Sequence, residues 1–251
     1  MLSANQAKFL TALQVKKYRQ KYRNFVVEGT KMVVELLTQN RVGVVGIYAL
    51  EDWAAENAAA LEPFRPIFQA LSEQELKKIS ALTNPQQVLA VAEMPADLPV
   101  WGTNGCFFLD GIRDPGNLGT ILRVADWFGF SAVFCSPDCA DAFSPKVVQA
   151  SMGAILRVPV YEMELVDVLA LSPDCTVIGA ALDGENVFQA NFSPNTLWVI
   201  GNEGAGMRPE TERLLTHLVT IPLAPGSGSE SLNASVAAGI LAALYREKCP
   251  I

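Results

Sequence analysis

Three segments rich in glycine and small polar residues each follow a predicted strand in the second half of this chain. They are Asp-Pro-Gly-Asn-Leu-Gly-Thr-Ile-Leu-Arg at 114–123, Ile-Gly-Asn-Glu-Gly-Ala-Gly-Met at 200–207, and Glu-Ser-Leu-Asn-Ala-Ser-Val-Ala-Ala-Gly at 230–239. The carboxyl ends of strands are where open α/β sheets bind ligands. Three such segments in one chain predict a ligand site at that edge of a sheet.

The first segment combines close backbone approach with a cation. Gly116 and Gly119 leave room for the backbone to come near a ligand, and a helix beginning near Leu118 directs its N-terminal amides at any anion there. Arg123 lies in an otherwise apolar stretch, six residues after Asn117, so its charge needs a partner. Both a buried ion pair within the fold and phosphate recognition satisfy that need.

The second segment holds a carboxylate in a tight loop. Its glycines lack the spacing of a dinucleotide-binding fingerprint; they are Gly201, Gly204 and Gly206. Glu203, among these glycines, has two possible roles. It can cap the helix predicted to start near Pro209, or it can pair with Arg123.

The third segment leads into a helix dense in small residues. Ser231 and Asn233 precede that helix, and either can serve as an ordinary N-cap. The small residues that follow allow another backbone to come close, as a tightly threaded or dimeric site requires.

The charge is divided unevenly along the chain, whose net charge is −7. Residues 1–95 hold 11 Lys+Arg and 9 Asp+Glu, which gives +2, and residues 96–251 hold 8 and 17, which gives −9. Within residues 1–31, seven cations accompany a single acid, Glu28, with Tyr18 and Tyr22 interleaved for base stacking. This pattern favours a nucleic-acid surface, with a solvated helix face as the alternative.

Composition narrows the class of protein. A chain of 251 residues with 50% hydrophobic and 18% charged residues is typical of one large or two ordinary globular domains. Met1–Gln20 lacks the pattern of a signal peptide, and no apolar run reaches the roughly 20 residues that span a bilayer, so we expect a soluble intracellular protein. Five cysteines without a C-x-x-C pair and the lone His217 predict buried free thiols and no metal site.

Residues 1–95 are predicted to form a small α/β domain. The basic stretch Val15–Arg23 leads into its first strand. Hydrophobic periodicity predicts helices at Asn5–Gln14, Thr30–Thr38, Glu51–Leu61 and Ser72–Ile79, and strands at Asn24–Val27, Val44–Leu50 and Gln87–Glu93. Residues 96–104, with Pro99 and Gly102, are predicted to be a linker.

Residues 105–251 alternate short apolar strands with helices. The predicted strands are Cys106–Leu109, Ala132–Cys135, Arg157–Val160, Thr176–Ala180, Leu197–Ile200 and Leu218–Ile221. The predicted helices are Leu118–Phe128, Pro145–Met152, Leu165–Leu171, Pro209–Thr216 and Leu232–Lys248. This alternation predicts an α/β domain with a mostly parallel sheet covered on both faces.

In this order and spacing, the three segments resemble the three motifs of the SpoU-type, TrmH-like branch of the SPOUT RNA methyltransferases. The stretch from Asn24 to Gly29, followed by Lys31, Val34 and Glu35, resembles the start of the substrate-binding domain often fused ahead of them. That domain is similar to a ribosomal-protein-like RNA-binding module. The resemblance therefore covers nearly the whole chain.

The resemblance implies a deep trefoil knot at the C-terminal end, a rare exception to unknotted topology. It also implies that the protein binds S-adenosylmethionine (SAM), forms a homodimer and methylates a ribose 2′-hydroxyl in RNA. Because the sequence shows no signal-peptide pattern, we expect this reaction to take place in the cytoplasm. The two-domain layout favours ribosomal over transfer RNA. The alternatives are a tRNA ribose methyltransferase and a non-catalytic RNA-binding or ribosome-assembly protein of the same fold.

Site residues are implied by matching motif positions. The catalytic and substrate-placing positions fall on Asn117, Arg123, Glu203, Ser231 and Asn233, and the cofactor loops on Gly201, Gly206, Ile221 and Leu232. The basic positions expected to contact RNA are Lys16, Lys17, Arg19 and Arg23. One departure from the family is the run Leu223–Ser229, which is two residues longer than usual and lengthens the loop expected beside the cofactor.

Overall fold

The computed structural model describes residues 1–39, 41–95 and 98–250. The chain forms two compact units. The first runs from Met1 to Asp97 and takes in Phe143–Leu156, and the second comprises Leu98–Ala142 and Arg157–Ile251. A segment from the middle of the chain thus belongs to the unit built by the N-terminal residues.

The first unit is a four-stranded sheet with helices. Its strands are β1 (Asn24–Glu28), β2 (Val44–Ala49), β3 (Phe68–Ala70) and β4 (Val88–Glu93), in the order β1-β4-β2-β3. Only β2 and β3 pair in parallel; the other two pairs are antiparallel. Its helices are α1 (Ala4–Ala12), α2 (Lys16–Tyr22), α3 (Thr30–Gln39), α4 (Glu51–Glu56), α5 (Ala58–Leu61) and α6 (Glu73–Ile79), with a 3-10 helix at Glu62–Ile67.

The inserted segment completes the first unit beside β1. It contains a further helix, α8 (Pro145–Ser151), which packs against β1, and a 3-10 helix at Ala154–Leu156. The rings of Phe25 and Phe143 lie 5.0 Å apart between centroids. All five residues of β1 are buried. The edge strand of this sheet is therefore covered by residues that come more than a hundred positions later.

The second unit is built on a six-stranded sheet. Its strands are β5 (Cys106–Asp110), β6 (Ala132–Cys135), β7 (Val160–Glu162), β8 (Thr176–Asn186), β9 (Thr196–Gly201) and β10 (His217–Thr220), in the order β10-β8-β9-β5-β6-β7. Every pairing is parallel, as predicted for this region. Its helices are α7 (Pro115–Trp127), α9 (Leu165–Leu171), α10 (Pro209–Glu212) and α11 (Ala234–Lys248). All residues of β5 and β6 are buried, as expected for central parallel strands.

Most predicted elements are present, and several bounds need correction. The Val15–Arg23 stretch contains the helix α2, the helix expected at Glu51–Leu61 breaks at Asn57, and β3 was not predicted. Helix α7 begins before Leu118, at Pro115, because the Asp114 side chain caps it. Three further elements differ in extent: α10 ends at Glu212, β8 continues to Asn186, and the strand expected at Arg157–Val160 lies at Val160–Glu162.

The boundary between the two units falls inside residues 96–104, the stretch predicted to be a linker. Residues 96 and 97 lie outside the described residues, and the second unit begins at Leu98. Trp101 is part of that unit, because its indole N–H donates to Asn195 Oδ1 at 2.7 Å and its ring stacks on Phe134.

Among the described residues, none of the helices is both long and apolar enough to cross a membrane. The five cysteines are free thiols, four of them buried and Cys139 half-buried. His217 is exposed at the start of β10.

Candidate functional site

The three glycine-rich segments all lie at the carboxyl ends of strands in the second unit. The first follows β5, the second follows β9 and the third follows β10. β5 and β9 are neighbours, and the last residue of one, Asp110, pairs with the last residue of the other, Gly201. The first two loops therefore start side by side.

The first loop sets the start of α7. Asp114 Oδ1 accepts from the Asn117 backbone N–H at 2.8 Å, and Pro115 occupies the first helical position. The helix buries the face that carries Leu118, Ile121 and other apolar residues. This arrangement fixes Asn117 in the first turn, next to the end of β9.

Side chains from all three segments meet in one hydrogen-bonded chain. The Asn117 amide N–H donates to Glu203 Oε1, and Asn233 Nδ2 donates to Asn117 Oδ1 at 2.9 Å. We call Asn117, Glu203 and Asn233 the motif cluster. Because an amide both donates and accepts, Asn117 is the link that joins the second segment to the third.

The second loop is folded by its own side chain and backbone. Asn202 Oδ1 accepts from the backbone N–H of Gly204 and of Ala205 at 3.0 Å each. The backbones of Asn202 and Gly206 exchange two hydrogen bonds of 2.9 Å. Asn202 Nδ2 also donates to the Gly111 carbonyl at 2.9 Å, which ties this loop to the one after β5.

Gly201 permits this fold of the loop. A Cβ added there would lie 2.6 Å from the Gly206 carbonyl carbon and from the Met207 nitrogen. Those are backbone atoms, which cannot move aside as a side chain can. Gly206 has a φ of +72°, in the left-handed region that favours glycine.

A buried ion pair anchors the far end of the second loop. The Asp110 side chain is 0% exposed, and its carboxylate accepts from Arg208 Nε at 2.5 Å and from the Arg208 backbone N–H at 2.7 Å. The guanidinium also lies 3.4 Å from Glu164. These contacts were not predicted from the sequence. The signal that could have indicated them is Asp110 itself, an acid at the end of an apolar strand.

The third segment supplies Asn233 in a double role. Its Oδ1 caps α11 by accepting from the backbone N–H of Ser235 and Val236, while its Nδ2 reaches Asn117. Ser231 is exposed, and no hydrogen bond of its side chain occurs within the described residues, so the structure does not bring it into the motif cluster. Ile221 follows β10 directly, and Leu232 is exposed before α11.

The predicted pairing of Arg123 with Glu203 is wrong. Arg123 is exposed on α7, and no ion pair joins it to Glu203 in the part of the chain that the structure describes. Six residues of helix turn the side chain about 240° from Asn117, so the two residues occupy different faces. Glu203 does not cap α10 either, because Arg208 occupies that cap position.

The predicted RNA-binding cations lie in the first unit, and one requires correction. Arg19 is 3% exposed, and its Nη1 donates to the Leu13 carbonyl at 2.7 Å, so it is an interior residue rather than part of a binding surface. Arg23 Nη2 donates to the Pro95 carbonyl at 2.6 Å while remaining exposed. Lys16 and Lys17 begin α2, half-buried and exposed respectively.

A cysteine thiol contacts the loop that leads to α7. Cys139 Sγ lies 3.2 Å from the Leu109 carbonyl and accepts from the Ile112 backbone N–H at 3.2 Å. A hydrogen bond from Cys135 lowers the pKa of the Cys139 thiol to about 7. Burial in the sheet instead raises the pKa of Cys106 to about 11. Within the described ranges, no group of three His, Cys, Asp or Glu residues is placed to hold a metal ion.

Comparison with known protein families decides where this chain belongs. Residues 105–243 match the model of the SpoU rRNA methylase family. The chain belongs to this family. Residues 4–90 match a second model, the MRM3-like substrate binding domain.

Individual relatives are similar to this SpoU family member over most of its length. The 23S rRNA (guanosine(2553)-2′-O)-methyltransferase RlmP of Bacillus subtilis is 32% identical over 91% of each chain. A structure from Porphyromonas gingivalis, assigned to the TrmH family of RNA methyltransferases, is 39% identical, with a TM-score of 0.86 over 98% of this chain and 99% of that one. An AdoMet-bound rRNA methyltransferase from Sinorhizobium meliloti is 26% identical, with a TM-score of 0.87 over 100% and 98% of the two chains.

Proposed function

We propose that this protein transfers a methyl group from SAM to a ribose 2′-hydroxyl in RNA, with ribosomal RNA as the substrate class. The observation that carries the proposal is the motif cluster, in which side chains from three separate segments meet at the carboxyl edge of a parallel sheet. The proposal draws on the relatives above, of which RlmP is named a 23S rRNA 2′-O-methyltransferase.

The second loop fits a cofactor that is held through main-chain atoms. Gly204, Ala205 and Gly206 are exposed and carry no side chain larger than a methyl group, so a ligand can approach this stretch of backbone closely. Nothing lies within 4 Å of the place a Cβ would take on Gly206. We propose that this loop, with the segments around Ile221 and Leu232, holds SAM, which when bound supplies an electrophilic methyl group on a sulfonium.

Arg123 is proposed to bind the RNA rather than to remove the proton. A guanidinium has a pKa above about 12, which makes it a poor general base. Because Arg123 is exposed and has no carboxylate partner within the described residues, its charge is available for a phosphate. A cation beside the ribose also stabilises the oxyanion that forms as the hydroxyl loses its proton.

The motif cluster is proposed to position the reacting ribose. Methyl transfer requires in-line geometry, and fixing that geometry can supply much of the acceleration. Asn117 and Asn233 hold each other in one orientation, and Glu203 fixes the other end of the Asn117 amide. Ser231, which is exposed two residues before Asn233 in the chain, is proposed to contact the RNA once it is bound.

A methylation assay with purified protein tests the proposed reaction. We expect transfer of the labelled methyl group of SAM to ribosomal RNA prepared from cells lacking this gene, with little transfer to RNA from normal cells. Mapping of 2′-O-methylation then names the nucleotide. Methylation of transfer RNA alone would favour the tRNA alternative, and SAM binding without transfer to either RNA would favour the non-catalytic one.

Replacing Arg123 separates phosphate binding from proton removal. We expect Arg123→Lys to retain measurable activity that rises with pH, because lysine keeps the charge while the hydroxyl ionises more readily at high pH. The matched control is Arg213→Lys, an exposed arginine after α10, which should behave as the wild type. Complete loss of activity at every pH with intact RNA binding would contradict this role.

We propose a division of labour along the chain. Residues 1–95 are proposed as the RNA substrate-binding domain, similar to a ribosomal-protein module, and residues 105–251 as the methyltransferase domain, with 96–104 as the connection. Phe143–Leu156 is the exception, since it belongs to the first unit. With ribosomal RNA as its substrate, the enzyme is proposed to act in the cytoplasm.

We propose a homodimer formed through α7 and α11. These helices pack together, and each carries an exposed apolar side chain, Trp127 at 84% and Val236. We expect Trp127→Lys combined with Val236→Glu to halve the mass measured by light scattering. Leu182→Lys, at an exposed leucine of β8, is the control and should leave the mass unchanged.

We propose that the C-terminal segment forms the family's trefoil knot. The end of α11 is held by loops from two distant parts of the second unit, because Arg246 donates to the Phe128 carbonyl and the Tyr245 hydroxyl donates to the Pro194 carbonyl. Pulling the chain by its ends in an optical trap should leave an unfolded contour shorter than an unknotted chain of this length. A full-length contour would contradict the knot.

A further inference from the structure

Helix α2 has an unusual composition for a helix of a folded unit. Its sequence, Lys-Lys-Tyr-Arg-Gln-Lys-Tyr, contains no aliphatic residue and no acid. Lys17 and Lys21 are four residues apart, as are Tyr18 and Tyr22, so each pair shares one side of the helix. Each tyrosine directly follows a lysine in the sequence, so the two cations lie in a row beside the two aromatic rings. We call these four residues the α2 surface.

The helix is held to the first unit by other contacts. Arg19 points inward to the Leu13 carbonyl, as described above, and Tyr22 packs its ring against Phe9 of α1, with centroids 5.2 Å apart and planes at 76°. Lys17, Tyr18, Gln20 and Lys21 of α2 remain exposed.

The two tyrosine rings remain accessible although they are fixed. Tyr18 is 37% exposed and Tyr22 42% exposed. Their centroids lie 6.3 Å apart with planes 17° from parallel. Phe9 and the neighbouring tyrosine already restrict the two rings. A flat ligand that stacks on them therefore costs little side-chain conformational entropy.

Acidic side chains do not neutralise the lysines of the α2 surface locally. Residues 1–27 contain no Asp or Glu. Lys21 Nζ lies over the Tyr22 ring at 5.5 Å, and within the described ranges neither Lys17 nor Lys21 forms an ion pair. The surface therefore offers positive charge next to exposed aromatic faces.

We propose that the α2 surface binds an unpaired stretch of the RNA substrate, with phosphates on Lys17 and Lys21 and bases stacked on Tyr18 and Tyr22. Cationic rows that follow the backbone, beside aromatic rings that stack bases, are the means by which proteins bind single-stranded nucleic acid. A duplex keeps its base faces inside the stack, so it can use only the lysines. The inference rests on the proposed function insofar as the substrate is RNA.

The stacking part is tested with the full chain and two forms of one RNA. The single strand is unstructured, about 12 nucleotides long, and carries the fluorescent base 2-aminopurine; the second form is its duplex. We expect Tyr18→Ala to weaken single-strand binding about tenfold and to reduce the quenching of 2-aminopurine. Tyr18→Phe, which keeps the ring, should bind as the wild type, and duplex binding should be unchanged in both variants. Thermal unfolding of each variant verifies the fold.

The electrostatic part is tested by salt dependence. Replacing Lys17 and Lys21 together by Gln should reduce the slope of log affinity against log salt concentration by about 1.4, since each phosphate contact on a single strand contributes about 0.7. The matched control is Lys77→Gln with Lys78→Gln in α6, which removes the same charge from exposed positions of the same unit. The control should leave the slope unchanged.

Several results would overturn the proposal. The first is that Tyr18→Ala binds the single strand as tightly as the wild type does. The second is that Tyr18→Phe loses as much single-strand affinity as Tyr18→Ala. The third is that the control pair, Lys77→Gln with Lys78→Gln, changes the salt slope as much as replacing Lys17 and Lys21 does. Binding of anionic phospholipid vesicles in place of RNA would assign the surface to a membrane. A wild type that methylates no RNA but shows the Tyr18 effect would refute the proposed function and leave the α2 surface in place.

Discussion

The motif cluster and the α2 surface use polar side chains in opposite ways. In the motif cluster, Asn117 binds Glu203 and Asn233, so each group is held by another. On the α2 surface, Lys17 and Lys21 face outward beside two exposed rings. The side chains of the motif cluster are therefore already positioned by one another without a ligand. Those of the α2 surface remain exposed and available to bind one.

This difference predicts two kinds of response to mutation. Groups that hold each other fail together, because removing one leaves its partners unsatisfied. Groups that contact a ligand separately contribute additively, so each mutation lowers the affinity only by the contribution of the contact that it removes. Changes in the second unit should therefore act on cofactor binding and turnover, while changes in α2 should act on RNA affinity in steps.

The largest effect is expected from Gly201→Ala. The added methyl would meet the backbone of Gly206 and Met207 at 2.6 Å, so the second loop must open. We expect the affinity for SAM to fall about 100-fold in a calorimetric titration. Gly228→Ala in the third loop, where nothing lies within 4 Å of the added methyl group, is the control and should lower the SAM affinity far less than Gly201→Ala does. Normal SAM binding by Gly201→Ala would mean that this loop does not hold the cofactor.

A smaller effect, and the sharpest test of mutual support, comes from Asn117→Asp. It sets two carboxylates against each other and should reduce the free energy of unfolding by about 1–3 kcal/mol. Glu203→Gln alone should be tolerated, since its amide oxygen still accepts from Asn117. The double variant restores one donor between the two positions and should regain most of the lost stability in urea unfolding. If the two changes are simply additive, the motif cluster is not a cooperative unit.

The smallest effect concerns Cys139, whose pKa is set by its neighbours. The thiolate is the reactive form, so alkylation should be slow below and fast above a midpoint near pH 7, given the lowered pKa of about 7. In Cys135→Ala the midpoint should move up towards about 8.5, the ordinary value for a thiol. Peptide mass spectrometry after brief iodoacetamide treatment measures this. An unchanged midpoint would show that Cys135 does not control the thiol.

The sequence predicted the parallel sheet because its strands are continuous apolar runs separated by helices. Periodicity failed for α2, because that helix is fixed by Arg19 and Tyr22 rather than by an aliphatic stripe. It also located α8 closely but gave no sign of where the helix packs. An amphipathic pattern specifies that a face is buried and leaves open which core receives it.

Prediction of the candidate site met a similar limit. The motif positions predicted that Asn117, Glu203 and Asn233 belong to one site, and the structure brings their side chains into contact. Charge complementarity suggested Arg123 as the partner of Glu203, but the turn of α7 directs Arg123 elsewhere. The loop-folding role of Asn202 depends on hydrogen bonds to the backbone, which residue types alone do not reveal.

The membership of Phe143–Leu156 in the first unit has a consequence for synthesis of the protein. A nascent chain that has released the N-terminal strands still lacks the helix that covers β1. Residues 98–156 must follow, which at about 5–20 residues per second takes roughly 3 to 12 s. During that interval Phe25 has no Phe143 to pack against, so the first unit cannot complete its packing until residues 98–142 of the second unit have also been synthesised.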